Sequence, residues 1–183
     1  MTEPETRLSL GQVARRLDRA GITWAVFAGA AASVYGATRS LTDVDILLPA
    51  TEGNRIAGLF PEAAVKREDD GSVQGLELPG FDILAGLAVM DLDAQMAARL
   101  TRHEIAGVVV PVIPPEDNIL LKALWGRGPE VGKHDWEDVQ AMMAHIPTLD
   151  WEYLRWRTAA CVPQERIEQV LERLEALWFQ RDT

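Results

Sequence analysis

Apolar positions along the chain change period several times, and each change predicts an element. Leu8, Val13 and Leu17 share one helical face, which predicts a helix from about Arg7 to Ala20 that stops at Gly21. Ile22 to Ala28 (ITWAVFA) is short, β-branched and aromatic, so it reads as a buried strand running into a helix that begins near Gly29 and stops near Gly36. Asp43 to Leu48 (DVDILL) reads as a second strand, closed by Pro49. Residues 53–60 predict a short helix, and residues 62–67 and 73–78 two strands around the turn-forming Asp70-Gly71. Phe81 to Leu84 is a further strand, residues 91–100 a helix, and Val108 to Ile113 a strand near a sheet edge, because Pro111 has no N–H for a ladder.

After Pro114 helical spacing takes over, predicting helices at Pro115 to Trp125, Asp135 to His145, about 150–160, and Pro163 to Phe179. Five of the six tryptophans lie at or after Trp125, which suggests a helical layer of its own. The expected fold class is therefore α/β (α+β): a small mixed sheet flanked by helices over residues 1–114, with a helical lobe over 115–183 packed on it.

The 183 residues carry 18 Lys plus Arg against 28 Asp plus Glu, a net charge of −10. Acids and bases are interspersed, so there is no broad basic face to coat a long polyanion. Cys161 stands alone, which excludes an internal disulfide and a thiolate-rich metal site. The most apolar stretch, Trp24 to Ala37, falls short of the ~20 residues needed to span a bilayer. The opening MTEPETRLSL has acids where a signal peptide has Lys or Arg. A cytoplasmic protein with no membrane contact is expected.

Chemistry concentrates in residues 29–48. Asp43 and Asp45 lie two apart on a strand, so their carboxylates leave the same face, about 7 Å apart along the chain, while Val44 points the other way. Carboxylates so close repel unless a cation lies between them, and an all-oxygen set favours Mg²⁺ or Mn²⁺ over zinc. Asp residues also begin strands by chance. Gly29, at a strand-to-helix junction, lets a phosphate approach free backbone N–H groups, or simply permits close packing. Asp82 leaves its strand on the face opposite Phe81 and Ile83; if that strand lies beside Asp43 to Leu48, three carboxylates cluster. Otherwise Asp82 faces solvent.

A Gly-small pair opening a helix, an Arg, a DxD on the next strand and a third Asp on a later strand resemble the nucleotidyltransferase superfamily of polymerase-β type. Within it, the chain resembles small bacterial nucleotidyltransferases, including the AbiEii-like toxins of abortive-infection and toxin–antitoxin systems. EDNILLKALWGRGPEVGKHDWEDVQAMM is similar to the family's helical motif through Lys122, Lys133, Asp135 and Asp138. Two of the chain's three lysines, against fifteen arginines, fall there. The resemblance implies catalytic and metal-binding Asp43, Asp45 and Asp82, with nucleotide contacts from Gly29, Ala30, Ser33, Arg39, Lys122 and Lys133. Arg127 could add a fork to the phosphates. Asp135 and Asp138 also make good first-turn electrostatics for their own helix.

The implied activity is transfer of a nucleoside monophosphate from an NTP to an acceptor hydroxyl, releasing pyrophosphate. A tRNA 3′ end, a partner-protein hydroxyl and a cationic antibiotic are all chemically possible acceptors. The resemblance to toxins favours the first two and implies a cognate antitoxin. One departure is Ala30, where the family has Ser or Gly. Without a hydroxyl there, one phosphate hydrogen bond must come from backbone or from Ser33, which keeps open a catalytically silent nucleotide-binding or regulatory module. His103, His134 and His145 have no metal-ligand spacing and read as surface or packing residues.

Overall fold

The computed structural model describes residues 8–181. Ser9 begins the first helix, α1 (Leu10–Arg19), by accepting from the Gln12 N–H while the Gln12 side chain accepts from the Ser9 N–H. That capping box sets the start two to three residues later than periodicity suggested; Arg7 lies outside the described residues. Ala20 ends the helix and Gly21, at φ 64°, turns the chain into β1 (Ala25–Phe27).

β1 is shorter than the apolar run around it because the chain turns sharply at Ala28 into α2 (Ala28–Val34). β2 (Val44–Leu48) follows, then one 3₁₀ turn and the single-turn helix α3 (Gly53–Ile56), shorter than the 53–60 expected. β3 (Ala64–Arg67) and β4 (Val73–Leu78) form a hairpin around Gly71, and β5 (Phe81–Ala85) pairs with β4.

The helix expected at 91–100 is cut to α4 (Ala94–Ala97), capped by Asp93, because residues 101–105 form a strand that periodicity did not predict. This is β6 (Thr101–Ile105), which turns through Ala106 and Gly107, both at positive φ, into β7 (Val108–Val112).

The sheet has seven strands in the order β3-β4-β5-β2-β1-β7-β6. β2 runs parallel to β5 and β1 parallel to β7; the remaining pairs are antiparallel. Pro111 thus lies on the last strand but one, where β7 meets β1 only at Val26↔Val112.

The helices that follow are α5 (Pro115–Trp125), α6 (Asp135–His145), α7 (Trp151–Cys161) and α8 (Ile167–Gln180). α5 starts at Pro115 and ends at Gly126 in the left-handed region, as the sequence predicts. Residues 116–122 of α5 are all buried, and the helix packs against α2, α6 and α7. One hydrophobic cluster runs from Leu8 to Leu174 through both the sheet and the later helices.

A buried polar knot ties α7 to α5. Arg157 Nε lies 2.7 Å from Asp117 Oδ1, Tyr153 donates to Asp117 at 2.7 Å, and Arg157 reaches out to Asp93. Burial pushes the Asp117 carboxyl up to about 6 even so. Among the described residues no helix is long and apolar enough to cross a membrane.

Candidate active site

The register of β2 against β5 creates the site. Asp45 stands directly opposite Asp82 in these neighbouring parallel strands, so both carboxylates leave the same face. Asp43 immediately precedes β2, and ligand oxygens of the three residues lie within 4.8 Å of one another. Burial, then the negative charges of Asp43 and Asp82, push the Asp45 carboxyl up to about 6. That is the response of clustered acids with too little positive charge beside them. Three oxygen donors from hard carboxylates, with no His or Cys among them, fit Mg²⁺ or Mn²⁺.

One side of the cluster opens into a pocket of about 240 Å³, bounded by Ala28, Gly29, Arg39, Lys122, Arg127 and Lys133. Its floor starts at an unusual turn. Ala28 has φ 54°, a left-handed conformation that costs a residue with a Cβ about 1–2 kcal/mol. The buried Asn118 side chain of α5 holds it from both sides, accepting from the Ala28 N–H at 2.8 Å and donating to the Ala28 carbonyl at 3.1 Å. This clamp presents Gly29 to the pocket. A Cβ at Gly29 would stand 2.9 Å from an Arg39 Nη2, so glycine lets the guanidinium lie across the helix start.

The side chains of Ala30 and Ser33 both turn away from the pocket. The Ala30 methyl packs in the core, and the Ser33 hydroxyl donates back to the Gly29 carbonyl at 3.2 Å; neither side chain lines the pocket. The N–H groups of Gly29 and Ala30 have no partner within the helix by its geometry.

The cations fall into two groups. Lys122 is 1% exposed, and its ammonium is held by Asp135 at 3.0 Å and Asp138 at 2.8 Å. Arg127 takes the other Asp135 oxygen at 2.8 Å, and Arg39 takes Asp138 at 3.1 Å. Burial would raise the Asp135 carboxyl, but Arg127 and Lys122 outweigh it and hold it below the usual range. Asp135 and Asp138 therefore anchor the cationic wall and are not part of the Asp43, Asp45 and Asp82 cluster. Lys133, by contrast, is exposed on the loop between α5 and α6; the charges of both lysines act on Asp45, that of Lys133 the more strongly.

Two residues absent from the expected site belong to it. Asn118 lies 90 positions from Ala28, beyond any local signal. Lys66 of β3 donates to Asp82 at 2.8 Å and lies 3.5 Å from Glu77. Beyond Asp82 a second pocket of about 450 Å³ is lined by Asp43, Glu62, Glu77, Pro79, Phe81 and Asp82. The three histidines lie outside the cluster: His103 meets Thr101 and the Tyr35 ring, His134 pairs with Glu137, and His145 bonds the Ala141 carbonyl.

The sequence matches no protein-family model and no curated protein. Solved structures do share the fold. ANT(2″)-Ia, in complex with adenylyl-2″-tobramycin, is 14% identical over 91% of this chain and 95% of its own, with a TM-score of 0.55. The lincosamide antibiotic adenylyltransferase LnuA, lincomycin-bound, is 14% identical over 75% of this chain and 96% of its own, with a TM-score of 0.50. An antigenic nucleotidyltransferase-like protein from Paracoccidioides brasiliensis is 20% identical over 89% and 90%, with a TM-score of 0.48. The fold of the chain is thus shared with ANT(2″)-Ia and LnuA.

Proposed function

We propose that the protein is a metal-dependent nucleotidyltransferase that moves a nucleoside monophosphate from an NTP to an acceptor hydroxyl. The observation that carries this reading is the pairing of Asp45 with Asp82 beside Asp43, at the mouth of a pocket walled by Gly29, Arg39 and Lys133. Asp43, Asp45 and Asp82 would hold Mg²⁺ or Mn²⁺, which when bound neutralises phosphate charge and lowers the pKa of the acceptor hydroxyl.

The chain's own groups do the rest. Backbone N–H groups of Gly29 and Ala30, the Lys133 ammonium and the Arg39 fork hold the β and γ phosphates. Lys122 keeps Asp135 and Asp138 in place and contributes its field from the pocket floor. Asp82, facing the second pocket, orients the acceptor hydroxyl and accepts its proton as the new O–P bond forms at the α-phosphorus. The bond to pyrophosphate breaks, and pyrophosphate leaves with its electron pair.

The second pocket is rich in carboxylates, which favours a cationic acceptor over a long polyanionic RNA. A tRNA 3′ end or a partner-protein hydroxyl, as the toxin resemblance implies, and a cognate antitoxin are outcomes of the same test. The full chain is incubated with Mg²⁺ and each labelled NTP in turn, with aminoglycosides, bulk tRNA or cell extract. Label is expected on one class of acceptor, and Asp43→Asn or Asp45→Asn should lower transfer by more than about a hundredfold. Loss of transfer with NTP binding retained in the wild type would instead favour a silent nucleotide-binding module. That second reading draws on Ala30 and Ser33, which leave the helix start without a side-chain hydroxyl facing the pocket.

A further inference from the structure

The chain has three lysines, and the fold brings all of them to the carboxylate end of the sheet. Lys122 and Lys133 border the 240 Å³ pocket, on one side of the cluster. Lys66 approaches from the other side. It stands on the edge strand β3, opposite Gly75 of β4, and its ammonium reaches Asp82 Oδ1 on β5 at 2.8 Å. A second acid, Glu77, lies 3.5 Å from the same nitrogen and is 64% exposed.

Asp43 and Asp45 have no ion-pair partner among the described residues, whereas Asp82 already holds a cation. A hard divalent ion would approach a carboxylate oxygen to about 2.0–2.6 Å. It would therefore compete for the oxygen and the space that the ammonium uses. The Lys66 side chain is 38% exposed and Glu77 offers it a nearby seat, so leaving Asp82 requires no rearrangement of the core.

We propose that Lys66 is the resident counter-ion of the Asp82 side of the cluster, and that it moves to Glu77 when a divalent ion takes Asp82. Resting on the metal-site reading above, this assigns different strengths to the two sides. An ion held by Asp43 and Asp45 breaks no ion pair, and an ion that needs Asp82 must first displace Lys66. Lys66 is then a positioning residue that keeps an ion on the Asp82 side weakly held until nucleotide and acceptor strengthen it. Glu77 works in the opposite direction, by drawing the ammonium away.

The test is Mn²⁺ binding to the full chain without nucleotide, followed by the electron paramagnetic resonance of free Mn²⁺. Lys66→Met should tighten the weaker binding event roughly fivefold, which is about 1 kcal/mol and the order of one part-exposed ion pair. Lys66→Arg should leave binding weak. Glu77→Gln should weaken it, because the displaced ammonium loses its second seat. In an Asp82→Asn background Lys66→Met should change nothing. A simple structural salt bridge would show lower melting temperatures with no gain in affinity. If the wild type binds Mn²⁺ and Lys66→Met leaves its affinity unchanged or lower, the inference fails and the metal site stands. If neither protein binds Mn²⁺, with or without NTP, the metal-site reading fails and this inference with it.

Discussion

At Asp45 the chemistry of the site and the stability of the fold oppose each other. Burial and the charges of Asp43 and Asp82 raise its carboxyl to about 6 in the folded protein, against about 4 in an unfolded chain. The folded state therefore binds this proton more tightly, so the contribution is fully present below pH ~4 and is lost as pH rises through about 6. Metal-free protein should melt at a higher temperature as Asp45→Asn than as wild type at pH 8, with the difference shrinking towards pH 4. Added Mn²⁺ should reverse the order for wild type, and its stabilising shift should grow through pH 6 as the proton leaves. Thermal scans across pH, with and without Mn²⁺, measure both effects. An Mn²⁺ shift as large at pH 5 as at pH 8 would remove Asp45 from the ligand set.

At the scale of elements, the β1–α2 junction is held by a distant helix. Asn118 satisfies both backbone groups of Ala28, and Asn118→Ala would leave a buried N–H and a buried carbonyl without partners, at about 1–3 kcal/mol each. Ala28→Gly should be close to neutral. The left-handed cost it relieves, about 1–2 kcal/mol, offsets the usual loss of about 1 kcal/mol for glycine in a helix. Urea unfolding measures both variants; a full 1 kcal/mol loss in Ala28→Gly would mean the turn is not strained.

This junction also marks where sequence reading ends. The alternation in DVDILL and FDIL placed Asp45 and Asp82 on their strands and Asp43 at the edge of the first, and Pro115, Gly126 and Asp135 bounded α5 and α6, because these signals are local. β6 was missed because TRHEI is polar, lies at an edge and turns through Ala-Gly rather than Asn-Gly. Asn118 and Lys66 were missed because their partners are brought to them by sheet order and helix packing. No periodicity carries that information.

For the whole molecule the question is whether the sheet half stands without the helices that follow it. A division at residue 114 is natural in sequence, since strands give way to helices there. The packing crosses that line heavily. Residues 116–122 of α5 are buried, charged ones included, and a helix covered all round belongs to a core. Val26 and Phe27 of β1 and the alanines of α2 share a cluster with Ile119, Leu120, Leu121, Val139 and Met142. Cutting there exposes that face, removes the Asn118 clamp and leaves no Lys122 to hold the pocket floor. A chain ending at Pro114 should therefore show no cooperative melting by circular dichroism and bind no NTP, while the full chain unfolds in one transition. Native-like strand signal and a sharp transition in the shortened chain would instead make residues 115–183 an appendage on a self-sufficient catalytic lobe, and would move the nucleotide-binding contribution of Lys133 to a mobile partner of the site.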